Sequence, residues 1–231
     1  MTSHKVLTLE GAGYPKPLCL IHQPPERLTV RGGWLPEDAA AVAVVGMRDA
    51  SHAGLENAQR LGFELAQAGV TVVSGLAREI DAAAHRGALK AGGRTIAVLG
   101  SGLMHIYPPE HLKLAEEIAS HGAVMSEFPM ESLPLKEHFP QRNRIISGLS
   151  LGVVVVEAAQ RSGALITARF ALEQGREVFA VPGRAGDSKT QGVHRLLRDG
   201  AGLVESANDI LVELQGPLSR CLPAKTVAAC K

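Results

Sequence analysis

From Ala41 onward the chain repeats one pattern: a short apolar run that ends in glycine or a small polar residue, then a stretch of helical periodicity. The runs are Val42–Val45, Val70–Val73, Thr95–Leu99, Ala123–Met125, Val153–Val156 and Val178–Val181, with Leu203-Val204 as a candidate further member. They are apolar at successive positions, which suits parallel strands covered on both faces. Between them Leu55, Ala58, Gly62 and Leu65 recur at helical spacing with Glu56, Arg60 and Glu64 on the other side, and Leu165, Ala168 and Leu172 repeat the pattern. Strand and helix in alternation predict an α/β fold, a doubly wound, mostly parallel, Rossmann-like sheet with helices on both faces and right-handed crossovers.

The flanks read differently. Residues 1–38 carry Tyr14-Pro15-Lys16-Pro17-Leu18 and Pro24-Pro25 without a sustained period, which predicts an extended N-terminal flank packed on the sheet domain. Residues 39–215 form that domain, and residues 216–231 are expected to be a largely disordered tail. Total length, 231 residues, suits one sizeable α/β domain with its flanks. Lys5, Glu10 and Lys16 interrupt the N-terminal region, and no apolar run approaches the roughly eighteen residues of a membrane span, so neither a secretory signal nor membrane association is expected. Cys19, Cys221 and Cys230 make no disulfide framework and point to a reducing, cytoplasmic setting. The net charge of +1 gives no strong overall field for polyanions, so a nucleic-acid site has to be a local patch. Five Phe, two Tyr and one Trp leave little for a stacking platform.

In open parallel sheets, ligands sit beyond the carboxyl ends of the strands, where loops and helix N-termini present free N–H groups. Three loops there are built from small residues. The first is Gly46-Met47-Arg48-Asp49-Ala50-Ser51, in which Arg48 can fork onto a phosphate and Ser51 can cap a helix or donate to an anion. The second is Ser74-Gly75-Leu76-Ala77-Arg78 and the third Gly100-Ser101-Gly102. A phosphate-bearing ligand is one reading; short turns that need small residues is the other.

Standard fingerprints fail. Gly100-Ser101-Gly102 lacks the third glycine of a dinucleotide site, and there is no Walker lysine, so no nucleotide cofactor is expected. Gly148-Leu149-Ser150-Leu151-Gly152 matches a nucleophile elbow but precedes a strand instead of following one. Nine histidines are scattered without a metal-binding spacing, so no metal is expected.

Asp81 and His85 stand four apart on one helix face, either as a catalytic pair or as a polar network. The network is favoured because no nucleophile lies beside them in sequence. Glu127 and Glu157 close two strands, where an acid can bind ribose, act as a base or pair with an arginine. Asp81, His85, Glu127 and Glu157 are therefore read together as a structural polar network. Phe139-Pro140-Gln141-Arg142-Asn143-Arg144 places two arginines at an expected helix start and is the best local basic patch. Residues two apart on a helix diverge by about 200°, so Arg142 and Arg144 are expected to do different jobs, one on phosphate and one in an ion pair.

These stretches, taken with Ser74 to His85, Thr95 to Gly102, Tyr107-Pro108, Ser126-Glu127, Phe139 to Ser150, Ser162-Gly163-Ala164-Leu165-Ile166-Thr167-Ala168 and Val181-Pro182-Gly183, resemble the DNA-processing protein A (DprA/Smf) family. The resemblance runs from Tyr14 to Leu211. It implies an extended Rossmann-like domain that forms a homodimer, binds and protects single-stranded DNA, and loads the recombinase RecA during natural transformation, without catalysing a reaction. The DNA-contacting set it implies, joined to the loop residues above, is Gly46, Arg48, Ser51, Ser74, Gly75, Gly100, Gly102, Arg142, Asn143, Arg144, Ser162, Gly163, Ala164 and Thr167. The dimer surface is expected between Val178 and Leu214, where Leu196, Leu197, Leu203, Ile210 and Leu211 supply apolar material.

Three positions depart from the family pattern: Met47 for a Ser or Thr, Glu79 for a Gly, and His194 for an Asn. Glu79 is expected to be neutralised by Arg78 or another rim arginine, since a bare carboxylate would repel a phosphate track. The resemblance also implies a core without the N-terminal helical and C-terminal winged-helix-like domains that many members carry. The competing reading is a nucleotide-processing enzyme similar to the phosphoribohydrolases of the Lonely Guy type. Their Pro-Gly-Gly-x-Gly-Thr-x-x-Glu loop has no counterpart in Glu157 to Thr167, where the acid precedes the glycine.

Overall fold

The computed structural model describes residues 4–221. In chain order the elements are β1 (His4–Thr8), β2 (Arg27–Gly32), β3 (Ala41–Val45), α1 (His52–Gln67), β4 (Thr71–Ser74), α2 (Ile80–Lys90), β5 (Thr95–Val98), α3 (Leu112–His121) and β6 (Ala123–Ser126). The second half adds α4 (His138–Gly148), β7 (Gly152–Val155), α5 (Ala164–Glu173), β8 (Glu177–Ala180), α6 (Gln191–Arg198), β9 (Gly202–Leu203), α7 (Ala207–Glu213) and α8 (Gln215–Cys221). Each apolar run of the sequence from Val42 on is a strand, within a residue at its ends.

Nine strands make one sheet in the order β1-β2-β6-β5-β4-β3-β7-β8-β9. All neighbours from β6 to β9 run parallel, whereas β1 pairs antiparallel with β2, and β2 with β6. Successive strand residues point to opposite faces. Thus Val42, Val44, Val72 and Val154 pack under α1, α2 and α7, while Ala43, Val45, Val73 and Val155 pack under α4, α5 and α6. Leu114, Ala115 and Ile118 of α3 cover Ala97 and Val124. The chain fills the sheet from β3 outward to β6, then crosses back to place β7 on the other side of β3. That reversal makes the carboxyl ends of β3 and β7 the topological switch point.

The flank is more than an extended cover. Residues 4–8 and 27–32 extend the sheet as β1 and β2, with Leu28 and Val30 buried on alternate positions of β2. Two inward-pointing residues are too few to show a period in the sequence. The flank is also locked to the parallel core across residue 38. Asp38 is fully buried and accepts from Arg94 Nε (2.7 Å), Arg94 Nη2 (2.8 Å), Thr71 Oγ1 (2.8 Å) and the Leu35 N–H (2.7 Å).

The expected disordered tail begins with structure. Residues 215–221 form α8, and Leu218 buries its side chain in the core under α1 and α7. Residues 222–231 lie outside the described residues. Among the described residues no helix is long and apolar enough to cross a membrane.

Candidate functional site

A cleft of about 840 Å³ opens at the switch point. Its walls come from Gly46, Met47, Arg48 and Asp49 after β3, from Arg161, Ser162, Gly163, Ala164, Ile166 and Thr167 at the start of α5, and from Phe139, Pro140, Arg142 and Asn143 of α4. Tyr107, Pro134 and Lys136 close the remaining side. Asn143 Nδ2 donates to the Gly163 carbonyl at 3.3 Å and so ties α4 to the loop that opens α5.

The cleft carries more positive than negative charge. Arg48, Lys136 and Arg161 are on its rim, and among the described residues none of them has a carboxylate partner. Of the two acids in the lining, Asp49 is engaged by Lys189 at 3.3 Å and Asp81 is buried. The rim also gathers aromatic rings. The Arg48 guanidinium lies 4.8 Å from the Phe139 ring centroid, and Phe139 lies 5.7 Å from Tyr107. A flat surface edged with cations can hold a base while the cations hold its phosphates. Low aromatic content argues against such a platform, but two rings suffice when the fold brings them together.

Behind the rim lies a buried polar unit. Asp81 Oδ2 accepts from the Gly75 N–H (3.1 Å) and the Ala77 N–H (3.3 Å), shaping the loop between β4 and α2. Burial raises the Asp81 carboxyl above the usual carboxylate range, and nearby Arg142 offsets part of that rise. Arg142 is buried as well; loss of hydration lowers it to about 10, Asp81 opposes that, and it stays a cation at neutral pH. Its guanidinium donates to the Val98 carbonyl and fills the space that a side chain at position 75 would need, since a Cβ there would collide with Arg142 Nη1.

His85 does not reach Asp81. Its Nδ1 lies 2.7 Å from Thr95 Oγ1, whose single proton is committed to the Val72 carbonyl, so Nδ1 is the donor. Nε2 is then a bare lone pair, buried without a partner among the described residues. Protonating it would bury a charge with nothing to accept the new N–H, and burial with neighbouring His111 and Arg142 lowers the imidazole to about 3. The unfolded chain takes up this proton near pH 6.5 and the folded chain does not. Stability is therefore fully present above that pH and falls by about 1.4 kcal/mol per pH unit below it, until the folded imidazole titrates. Denaturant unfolding between pH 7 and 5 is expected to show this slope, and a His85→Gln variant should lose the histidine's share. Equal slopes would show that His85 titrates in the folded protein.

Several residues expected on the DNA have partners within the protein. The three residues at 142–144 lie in the second turn of α4, not at its start, and all are buried. Arg144 Nη1 and Nη2 each donate at 2.7 Å to the Glu127 carboxylate, and Nε donates to the Gln23 carbonyl at 3.1 Å, so Arg144 faces the flank and not the cleft. Ser51 caps α1, accepting from the Gly54 N–H at 3.0 Å and donating to Glu157. The Glu157 carboxylate, which also accepts from the Ser51 N–H at 2.8 Å, thus sits at the helix N-terminus where a Rossmann-type fold would hold a phosphate. Ser74 is fully buried and donates to the Val44 carbonyl. Gly100 stands against the Phe139 ring and Gly102 against the backbone of Pro129 and Met130, so they and Gly75 make room for the protein itself. Gly46, Arg48, Arg142, Asn143, Ser162, Gly163, Ala164 and Thr167 do line the cleft. Tyr107, Lys136, Phe139 and Arg161 line it too and were not expected; the aromatic-proline pairs Tyr107-Pro108 and Phe139-Pro140 were the available signal.

Glu79 is not neutralised as expected. Arg78 pairs with Glu110, Nε to Oε1 at 2.6 Å, and among the described residues the ion pairs include none to Glu79. Glu79 instead has φ of 67° and ψ of −110°, a left-handed backbone that a glycine adopts without steric cost. Glu79→Gly is expected to raise unfolding free energy by about 1 kcal/mol in urea titrations. A loss of stability would show that the side chain makes a compensating contact.

The family model and the similar sequences agree on one family. The family model described as DNA recombination-mediator protein A matches residues 5–215. Protein Smf of Escherichia coli (strain K12) is 49% identical over 215 residues, which is 92% of this chain and 57% of that protein, so the chain spans little more than half of this relative. The crystal structure of DNA processing protein A from Streptococcus pneumoniae superposes with a TM-score of 0.87 at 42% identity, covering 91% of this chain and 74% of that one. DNA processing protein A from Helicobacter pylori, a structure described for its single-stranded DNA binding mode, superposes with a TM-score of 0.82 at 29% identity, covering 93% of this chain and 97% of that one.

Proposed function

We propose, since the chain belongs to the DNA recombination-mediator protein A family, that it binds single-stranded DNA in the switch-point cleft, protects it, and passes it to the recombinase RecA during natural transformation, acting in the cytoplasm and catalysing no reaction. The observation that carries the reading is that the rim cations Arg48, Lys136 and Arg161 line the same cleft as the Phe139 and Tyr107 rings. Charge binds any polynucleotide, but rings on a cleft wall engage only bases that are free of a partner strand. Placement of Glu157 at the α1 N-terminus argues against a nucleotide cofactor there, because the phosphate position is already filled by a carboxylate. The test is a titration with single-stranded and duplex oligonucleotides of equal length. Tighter single-strand binding without base preference supports the reading; equal or tighter duplex binding overturns it. Incubation with a nucleoside monophosphate is expected to release no free base, and release would favour the phosphoribohydrolase reading.

The homodimer belongs to the same reading, with a narrower surface than the sequence suggested. Ile210 is fully buried in the chain's own core, and Leu196, Leu197 and Leu211 pack partly against the core as well. Leu203 on the edge strand β9 and Val212 on α7 remain exposed. Light scattering at micromolar concentration is expected to give a dimer mass, and Leu203→Arg with Val212→Arg a monomer. A wild-type monomer would remove this part of the proposal.

A further inference from the structure

Beside the main cleft a small recess is bounded by Arg48, Gly75, Ala77, Arg78, Tyr107 and Phe139, among others. Its two arginines bracket the aromatic pair. Arg48 stands 4.8 Å from the Phe139 ring, and Arg78 stands 5.7 Å from the Tyr107 ring. The two arms differ in one respect: Arg48 has no carboxylate partner among the described residues, whereas Arg78 is held at 2.6 Å by Glu110 from the short helical turn at Pro109–His111.

We propose that Arg78 is a second phosphate contact for the strand in the cleft, and that Glu110 is a built-in competitor which holds the guanidinium until a phosphate displaces it. The inference rests on the single-stranded DNA reading above. Both partners are about half exposed, at 45% and 49% of the side chain, so water screens their attraction and the pair exchanges readily. A backbone phosphodiester carries the same single negative charge as Glu110 and can offer the forked guanidinium two oxygens, whereas Glu110 engages it through one. Stacking along Tyr107 limits where the guanidinium can swing, so release from Glu110 leaves it at the same edge of the base platform. Bound phosphate and Glu110 repel each other, so every complex carries the cost of parting the pair and of keeping a carboxylate near the strand.

Two variants test this in the full chain, read by single-strand titration across a salt series. Arg78→Ala is expected to lower the slope of log K against log salt by about 0.7, the single-strand value for one phosphate contact. Glu110→Gln is expected to tighten binding several-fold, because the amide keeps the side-chain shape but no longer holds or repels charge. An unchanged slope in Arg78→Ala, or unchanged or weaker binding in Glu110→Gln, overturns the proposal. If either overturning result appears while wild-type protein binds single strands, only the Arg78–Glu110 exchange fails; if wild-type protein does not bind single strands, the reading beneath it fails first. Thermal unfolding of both variants should match wild type, since the pair is exposed, and a match shows that a lost slope is not a lost fold.

Discussion

Replacing Arg144 by alanine is expected to cost about 3–5 kcal/mol of unfolding free energy, the usual loss when one member of a buried ion pair is removed. Both side chains of the Arg144–Glu127 pair are only 10% exposed, and each guanidinium nitrogen of the fork meets its own carboxylate oxygen at 2.7 Å. The same guanidinium donates through Nε to the Gln23 carbonyl in the flank and through Nη1 to the Gln141 carbonyl at 3.2 Å. Alanine would leave the Glu127 carboxylate buried without its cation and remove one tie between the flank and α4. Urea unfolding should show the loss as a lower midpoint. The double variant Arg144→Met, Glu127→Leu should recover most of it, because apolar groups of similar volume need no partner. A single variant within about 1 kcal/mol of wild type would mean that water replaces the guanidinium, and the pair would then be a surface feature.

The sheet was legible because its signal is global. Parallel strands covered on both faces must be apolar at every position, and the resulting runs from Val42 to Val181 stand out without alignment. What the sequence hid is antiparallel and local. β2 buries only Leu28 and Val30, and its partner β1 is an exposed edge whose Val6 remains open to water. Helix α8 escaped notice because Gly216 and Pro217 argue for a turn, although proline in the first turn of a helix removes no needed hydrogen bond.

The cleft was half legible, and the missed half has a physical pattern. Small residues mark loops, but a small residue leaves space without saying what fills it. Gly75 opens space for Arg142 and Gly100 for Phe139, both from within the protein. Likewise a rim serine serves a ligand or a helix cap equally well by composition, and Ser51 proved to be a cap with Glu157 as its second partner. Arg142 and Arg144 were separable by helical geometry alone. Which one faces the cleft depends on Glu127 and the flank, whose distance in sequence hides their contact with α4. Lys136 and Arg161 looked like ordinary surface charges, because only the crossover from β6 back to β7 brings their loops to the same opening.

The largest effect on binding is expected from removing Arg48 and Lys136 together. Both sit on the cleft rim without a carboxylate partner among the described residues, so neither has to leave an internal ion pair before meeting a phosphate. A hydrogen bond to a charged group contributes about 1.5–3 kcal/mol, so two together amount to roughly 3–6 kcal/mol, or about 10²- to 10⁴-fold in affinity for single strands. The salt slope of log K should fall by about 1.4, two contacts at the single-strand value. Phe139→Leu provides the contrast. It removes the ring beneath Arg48 and against Tyr107 while keeping an apolar side chain. Affinity should drop by about 1–3 kcal/mol for one lost stacked base, with the slope unchanged. Charge and stacking are thereby measured on separate axes, one by slope and one by intercept. A double variant whose slope equals that of wild type would place the phosphates elsewhere. A Phe139→Leu variant with full affinity would show that the bases do not meet the ring, and the cleft would then be a site for charge alone, with no preference for single strands over duplex.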